Sequence, residues 1–199
     1  MADLILASAS PRRRELLTQI GVPHRVVPVD LDESVLPGEG ARDYVERLAR
    51  EKALAGFQAA GVGLPALGSD TAVILDGEIL GKPSDEEDAV RTLLRLSGRR
   101  HQVMTGVAVA RGEHCLSDVV TTEVSFVAFD EAVARAYWAS GEPCDKAGSY
   151  GIQGLGAVFV ESISGSYSAV VGLPLAQTAA ILKVFGIEVW QSATPEHSL

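Results

Sequence analysis

A short apolar strand runs directly into a basic helix in the segment Leu4-Ile5-Leu6-Ala7-Ser8-Ala9-Ser10-Pro11-Arg12-Arg13-Arg14-Glu15-Leu16-Leu17. Ser10 is a good N-cap, and Pro11 suits the first helical position, where its missing N–H leaves no bond unmade. The helix therefore starts with three arginines beside its own free N–H groups, which already carry a partial positive charge. This arrangement favours binding of an anion such as phosphate, and a solvated basic face is the alternative.

The composition indicates a compact globular protein with an acidic surface. The chain has 199 residues, of which 47% are hydrophobic, and a formal net charge of -9. This charge argues against nucleic acid as a partner, because such binding depends on neutralised phosphates. Of the 17 Lys and Arg residues, 13 lie in the first 100 positions, so a small phosphorylated ligand bound by the first half is the better hypothesis.

No segment of the sequence is typical of a membrane span, a signal peptide or a metal-binding cysteine cluster. Apolar runs stay below the roughly 18 residues of a membrane helix, and Cys115 and Cys144 are the two cysteines. We therefore expect a cytoplasmic protein without a membrane partner. No linker or repeat divides residues 1–190, which we expect to form one domain, and residues 191–199 are predicted to be a polar tail.

Two charged side chains are predicted to lie among apolar residues. Lys52 falls on the inward stripe of a helix predicted over residues 41–60. Asp70 falls at the start of an apolar strand that continues to the hairpin signal Asp76-Gly77. Burial of either charge is unfavourable without a partner, so both are candidates for a functional site. The alternatives are that Lys52 extends its ammonium to solvent and that Asp70 caps a turn.

Two loops could reach a ligand. Lys82 stands between the hairpin and a helix predicted to start at the capping box Ser84-Asp85-Glu86-Glu87. The glycine loop, residues 144–156, matches neither the dinucleotide fingerprint nor a P-loop. Its glycines permit close approach of a flat ligand, or they serve only a tight turn.

The remaining segments predict paired strands covered by helices. Strands are expected over about 24–29, 102–110 and 116–129, and Asp130 is expected to cap a helix. A further hairpin is predicted to pair residues 157–163 with 167–171, before a last helix that starts near Leu175.

Five motifs follow one another along the chain: Ser8-Ala9-Ser10-Pro11-Arg12-Arg13, Gly68-Ser69-Asp70-Thr71, Gly81-Lys82-Pro83, Ser97-Gly98 with His101-Gln102-Val103-Met104-Thr105, and Asp145-Lys146-Ala147-Gly148 with Gly154-Leu155-Gly156. In this order they resemble the Maf family of nucleoside triphosphate pyrophosphatases, to about Leu182. The segment Tyr150-Gly151-Ile152-Gln153-Gly154 looks like the branch that acts on dTTP and UTP, not the sister branch that prefers 7-methyl-GTP. The family's usual Gly-Ala-Asp-Thr is Gly-Ser-Asp-Thr here, which retains the carboxylate.

The resemblance implies an enzyme that hydrolyses dTTP and UTP to the nucleoside monophosphate and pyrophosphate. It implies a divalent metal cofactor, Mg²⁺ or Mn²⁺, a cytoplasmic house-cleaning role and a homodimer. The implied fold is mixed α/β (α+β), similar to inosine triphosphate pyrophosphatases. We expect a long, twisted, mostly antiparallel mixed sheet flanked by helices, with two lobes around a central cleft.

Position by position, the resemblance also implies roles for individual residues. Asp70 is the implied general base and shares the metal with Glu33. Lys52 and Lys82 complete the implied catalytic set. Arg12, Thr71 and Gln153 occupy the substrate-selectivity positions, and the implied phosphate-binding residues are Ser8, Ser10, Arg12, Arg13, Lys52 and Lys82. The amide of Gln153 can pair with O4 and N3–H of uracil or thymine, although a flipped amide suits cytosine.

Two alternative functions stay open from the sequence. One is a nucleotide-binding regulator of septum formation, a role also attached to this family, in which hydrolysis is incidental. The combination of Asp70, Lys52 and Lys82 weighs against it, because a pure binder has little need for a base beside its phosphate-binding cations. The other is the same chemistry on purine or modified nucleotides, which Gln153 makes less favourable.

Overall fold

The computed structural model describes residues 3–190 of the chain, so the predicted tail over residues 191–199 lies outside the described part. Within that part, strands β1 to β7 span Leu4–Leu6, His24–Val26, Ala66–Leu75, Glu78–Leu80, Arg100–Arg111, His114–Phe126 and Val160–Ser164. Helices α1 to α6 span Pro11–Gln19, Ala41–Ala60, Glu86–Leu96, Glu131–Ala139, Tyr167–Val171 and Leu175–Val184. None of the described helices is both long and apolar enough to cross a membrane.

The strands form one mixed sheet in the order β2-β1-β3-β5-β6-β7, with β4 paired to β3. The pairs β1–β2 and β1–β3 are parallel, and the pairs β3–β4, β3–β5, β5–β6 and β6–β7 are antiparallel. Strand β5 lies between β3 and β6, a central position that the apolar and small residues over 102–110 predict. The predicted mixed α/β fold with a mostly antiparallel sheet is confirmed.

One edge of β3 is left open in its middle, and this gap shapes the cleft. Residues 66–74 of β3 pair with β5 along its other edge. On the open edge, β1 pairs with β3 only at Ala66 and Leu67, and β4 pairs with it only at 73–75. The chain leaving β1 at Ala7 and the chain leaving β4 at Gly81 therefore converge on the gap, where Asp70 lies.

The two faces of the sheet are covered differently. Helix α2 packs on one face through small residues, among them Ala49 and Ala53 against Ala108 and Ala110. The larger apolar cluster includes Leu67 and Val73, which lie on the face of β3 opposite to α2. Its other members include Leu4, Leu6, Leu17, Leu93 and Leu182. Side chains alternate between faces along β3, so Asp70 projects toward α2 and its neighbour Thr71 projects away from it.

Gly106 allows α2 to lie directly on the sheet, and we expect Gly106→Ala to destabilise the protein by about 3 kcal/mol. A Cβ at Gly106 would overlap the main-chain carbonyl of Val45, which cannot move without shifting the helix. Gly81→Ala is the matched control, since a Cβ there meets nothing within 4 Å. Urea unfolding of both variants measures the difference, and equal stabilities would contradict this close approach.

The hairpin predicted over residues 157–171 is wrong, because residues 157–159 belong to a short 3-10 helix over Leu155–Phe159 and β7 pairs with β6 instead. Residues 160–164 form β7 at the sheet edge, but Tyr167–Val171 is the short helix α5. The hydroxyl of Ser166 accepts a hydrogen bond from the N–H of Ala169, and it thereby caps the helix. This local cap, together with burial of Ala169 and Val171, outweighs the preference of the β-branched valines for a strand.

Other element boundaries also differ from prediction; the strand expected over 116–129, for example, spans His114–Phe126. Strand β2 ends at Val26 instead of Val29, because its partner β1 has only three residues. Helix α3 is capped by Asp85, whose carboxylate accepts the N–H of Asp88, so it begins one residue later than a cap at Ser84 predicts. Asp70 is in the middle of β3 and not at its start.

Candidate active site

All ten predicted site residues line one cleft of about 580 Å³, within the ~300–1,000 Å³ range typical of small-molecule sites. They are Ser8, Ser10, Arg12, Arg13, Glu33, Lys52, Asp70, Thr71, Lys82 and Gln153. They come from the chain after β1, the start of α1, the loop before α2, α2 itself, β3, the loop after β4 and the glycine loop. The roles assigned to them stay predictions, but their convergence is a property of the fold.

Lys52 bridges two carboxylates at the bottom of the cleft. Its Nζ lies 2.8 Å from Oδ1 of Asp70 and 2.6 Å from Oε1 of Glu33. The side chains of Lys52 and Asp70 are each only 10% exposed, whereas that of Glu33 is 46% exposed. Lys52 therefore does not extend its ammonium to solvent, and Asp70 does not cap a turn. Each charge is the partner that makes burial of the other tolerable.

A glycine explains why Lys52 reaches Asp70. Gly68 lies two residues before Asp70 in β3 and so faces the same helix, α2. A Cβ at Gly68 would overlap the backbone of Ala49 and Ala53, and would lie 2.9 Å from Cβ of Lys52. Because Gly68 has none, α2 packs close enough for its lysine to meet the carboxylate.

The electrostatic surroundings give the two carboxylates different acidities. Burial raises the pKa of Asp70 above its ordinary value, although the charges of Lys52 and Arg13 act in the opposite direction. For Glu33 burial also acts upward, but the hydrogen bond and charge of Lys52 outweigh it and lower the pKa. The pKa values of the two carboxyls are thus shifted in opposite directions, although both carboxylates contact the same ammonium.

Arg13 is fixed by three hydrogen bonds within the cleft wall. Its Nε donates to the carbonyl of Gly172 at 2.8 Å, Nη1 to the hydroxyl of Ser8 at 3.3 Å and Nη2 to that of Thr71 at 3.4 Å. Burial lowers the pKa of Arg13, and the negative charge of Asp70 partly offsets this. The guanidinium is therefore held in one orientation before any ligand binds.

The serines and the neighbouring arginines have distinct surroundings. Ser10 caps α1 by accepting the N–H of Arg13, and Ser8 accepts the N–H of Ser10, so the turn is as predicted. Arg14 is exposed, as expected for a solvated side chain. Hydrogen bonding to Lys146, and more weakly the charge of Arg12, lowers the pKa of Asp145. The charge of Arg12 therefore acts on the glycine loop, whereas the charge of Arg13 acts on the two carboxylates.

Lys82 and Gln153 stand at the exposed rim of the cleft. The positive charge of Lys82 contributes, after that of Lys52, to the lowered pKa of Glu33, so the two lysines act on the same region. Gln153 belongs to the glycine loop, and neither of its side-chain polar groups has a hydrogen-bond partner among the described residues. Both side chains are accessible to a ligand in the cleft.

The cleft also contains polar residues that are absent from the predicted set. Tyr44 donates its hydroxyl to the carbonyl of Glu33 at 2.9 Å and so fixes the loop before α2. Lys146 lines the cleft and donates to Asp145 at 2.8 Å. Tyr150 also lines it, with its hydroxyl 2.8 Å from Nε2 of His101. The sequence carries a signal for Lys146 and Tyr150, because both lie in the glycine loop.

The carboxylates of Glu33 and Asp70 are chemically suited to a divalent metal ion. Carboxylate oxygens are the hard ligands that Mg²⁺ and Mn²⁺ prefer. Within residues 3–190, no group of three or more His, Cys, Asp or Glu side chains is placed to hold a metal. Both carboxylates contact Lys52, so an ion held by Glu33 and Asp70 would take its other ligands from substrate phosphates and water, which is usual for Mg²⁺.

The fold and the cleft define a class of protein: an α/β protein whose cleft combines several cations with a buried carboxylate, suited to a polyanionic small molecule. The family model described as Maf-like protein matches residues 3–185, and the chain belongs to this family. The resemblance inferred from the five motifs is thereby confirmed.

Curated relatives share this similarity over almost their whole length. A protein of Saccharophagus degradans named dTTP/UTP pyrophosphatase is 54% identical over 197 residues, which cover 98% of this chain and 94% of the relative. One of Pseudoalteromonas translucida with the same name is 57% identical over 180 residues, covering 90% of this chain and 95% of the relative. Among solved structures, the Ham1 protein of Staphylococcus aureus is 15% identical with a TM-score of 0.45, covering 62% of this chain and 71% of that one.

Proposed function

We propose that this protein hydrolyses dTTP and UTP to the nucleoside monophosphate and pyrophosphate. The observation that supports it most directly is a buried Asp70, paired with Lys52 and raised in pKa, at the bottom of a cleft lined by further cations. The names of the relatives support the same reaction and the same substrates. They favour an enzyme over a regulator of septum formation.

Asp70 acts as the general base in the proposed reaction. Attack of water on the α-phosphorus needs a group that orients the water and accepts its proton. Oδ1 of Asp70 is held by Lys52, and Oδ2 accepts no hydrogen bond from any described residue, so Oδ2 is available to a water in the cleft. The raised pKa of Asp70 brings it nearer to the range in which a base is effective at neutral pH.

The cations bind the triphosphate and stabilise pyrophosphate as it leaves. Phosphoryl transfer depends mainly on positioning and on neutralising charge that the phosphate oxygens carry in the transition state. Arg13 is pre-oriented by its hydrogen bonds, and Lys82 is exposed at the rim, where its ammonium makes no hydrogen bond or ion pair within residues 3–190. Lys52 is already shared between two carboxylates, so its first task is to hold Asp70 and Glu33 in place.

A Mg²⁺ or Mn²⁺ ion held by Glu33 and Asp70 would supply charge neutralisation on the phosphates. Gln153 recognises the pyrimidine, with its amide N–H donating to O4 and its amide oxygen accepting N3–H. A homodimer and a cytoplasmic, house-cleaning role are part of the same proposal.

In a panel of nucleoside triphosphates assayed with Mg²⁺ or Mn²⁺, we expect dTTP and UTP to be hydrolysed fastest. Their kcat/KM should exceed that of CTP by about tenfold or more. Pyrophosphate is the expected product, because attack occurs at the α-phosphorus. Chelation of the metal by EDTA should abolish turnover, and added Mg²⁺ should restore it. A preference for GTP derivatives, release of orthophosphate instead of pyrophosphate, or full activity in EDTA would each contradict a part of this proposal.

A further inference from the structure

Two side chains that do not line the cleft tie together the ends of the segment that presents Gln153. Tyr137, on α4, donates its hydroxyl to Oε1 of Glu142 at 2.6 Å and accepts the N–H of Gly151 at 3.0 Å. Glu142 in turn accepts the N–H of Leu155 at 2.7 Å and that of Gly156 at 3.0 Å. The segment 151–156 is therefore fixed at both ends by one phenol and one carboxylate.

The Tyr137–Glu142 pair also accounts for the glycines of this segment. A Cβ at Gly154 would overlap the carboxylate of Glu142, and a Cβ at Gly156 would lie 2.6 Å from the hydroxyl of Tyr137. A Cβ at Gly151 would lie 2.8 Å from Cε of Lys146 and 3.3 Å from Oε1 of Glu142. The glycines therefore admit the protein's own side chains, an explanation separate from both a flat ligand and a simple tight turn.

The pKa shifts of Tyr137 and Glu142 favour the protonation states that these hydrogen bonds need. Burial acts to raise the pKa of Glu142, but the hydrogen bonds from Tyr137, Gly156 and Leu155 outweigh it and lower the pKa. Burial, followed by the hydrogen bond to Glu142, raises the pKa of Tyr137, so the phenol stays protonated and remains a donor. The Tyr137 ring packs edge-on against Phe159 at 5.0 Å, which anchors it independently of its hydroxyl.

We propose that Tyr137 and Glu142 are positioning residues for pyrimidine selectivity, which hold the backbone of segment 151–156 so that the side chain of Gln153 reaches the O4 and N3–H edge of the base. This inference rests on the proposed function, because it assumes that Gln153 contacts the base. A fixed backbone restricts where the side chain of Gln153 can place its amide, whereas a loosened backbone lets the amide move away from O4 and N3–H of uracil, so that the preference over cytosine is lost. The pair thus acts on discrimination between UTP and CTP, and not on the water attack at Asp70.

Tyr137→Phe removes the hydroxyl and keeps the ring, so it tests the pair without opening the core. We expect the ratio of kcat/KM for UTP to that for CTP to fall about tenfold, the size of one lost hydrogen bond, mainly through KM. Tyr167→Phe is the matched control, since Tyr167 is half exposed and its hydroxyl has no partner among residues 3–190. In a Gln153→Ala background, Tyr137→Phe should no longer change the ratio.

Amide hydrogen exchange gives a second measurement that does not depend on activity. Glu142→Gln puts an amide N–H₂ group beside the backbone N–H donors of Leu155 and Gly156. The hydrogen exchange of the Leu155 N–H should therefore accelerate. Two results would overturn this inference but not the proposed function. One is an active Tyr137→Phe variant whose ratio of kcat/KM for UTP to that for CTP is unchanged. The other is a change in this ratio that is equally large with Gln153 and with Gln153→Ala. Absence of dTTP and UTP hydrolysis by the unaltered protein would instead overturn the proposed function, and this inference with it.

Discussion

Asp70→Asn is expected to lower kcat for dTTP about a thousandfold while the protein stays folded. Asparagine has the same shape, and its Oδ1 can still accept the hydrogen bond that Lys52 donates at 2.8 Å. What it lacks is the capacity to accept a proton from the attacking water. Because Glu33 also holds the ammonium at 2.6 Å, Lys52 is not left unpaired.

The measurement is pyrophosphate release under saturating dTTP, with circular dichroism and thermal unfolding as checks on the fold. Asp118→Asn is a matched control, because Asp118 is an exposed residue on β6 that does not line the cleft. Turnover within tenfold of the unaltered protein would show that another group accepts the proton. The role of Asp70 would then be reduced to holding Lys52.

Lys52→Met is expected to reduce both stability and activity, with a loss of about 3 kcal/mol in the free energy of unfolding at neutral pH. The substitution leaves the carboxylate of Asp70, only 10% exposed, without its nearest counterion. Burial already raises the pKa of Asp70, and loss of Lys52 raises it further. A carboxyl with a raised folded-state pKa destabilises the protein above that pKa, so the loss should shrink as the pH falls and Asp70 becomes protonated.

Urea unfolding at neutral and mildly acidic pH measures this effect. Lys183→Met, at an exposed position of α6, is the control and should change stability by less than about 0.5 kcal/mol. The double variant Lys52→Met with Asp70→Asn should recover most of the lost stability, because neither group is then a buried, unpaired charge. A double variant that is no more stable than Lys52→Met alone would mean that Lys52 stabilises by packing and not by charge.

Local sequence patterns predicted those parts of the fold that local interactions control. The cap at Ser10, the helix over residues 41–60 and the apolar strand over 102–110 all depend on near neighbours, and the structure has them. The segment 167–171 was misassigned as a strand because its valines favour one, while the capping hydroxyl of Ser166 and burial on the sheet favour a helix.

The residue types and the family resemblance also predicted which residues line the cleft, without information on where they lie in space. The ten side chains named from the sequence all line the same cleft. The surroundings of Tyr137 and Glu142 could not be predicted in the same way. Their importance lies in hydrogen bonds to main-chain N–H groups of a segment that begins 14 residues after Tyr137, and no periodicity reports such contacts.

The sequence by itself determined that a basic helix start, an inward lysine and an aspartate within an apolar strand had to be present together. Only the tertiary structure decided how these charges are compensated. The open edge of β3 exposes Asp70 to the cleft, and the absent side chain of Gly68 brings α2 close enough for Lys52 to reach it. The physical reason is that burial of a charge depends on the position of its partner in space, which strand pairing and helix packing set and chain order does not.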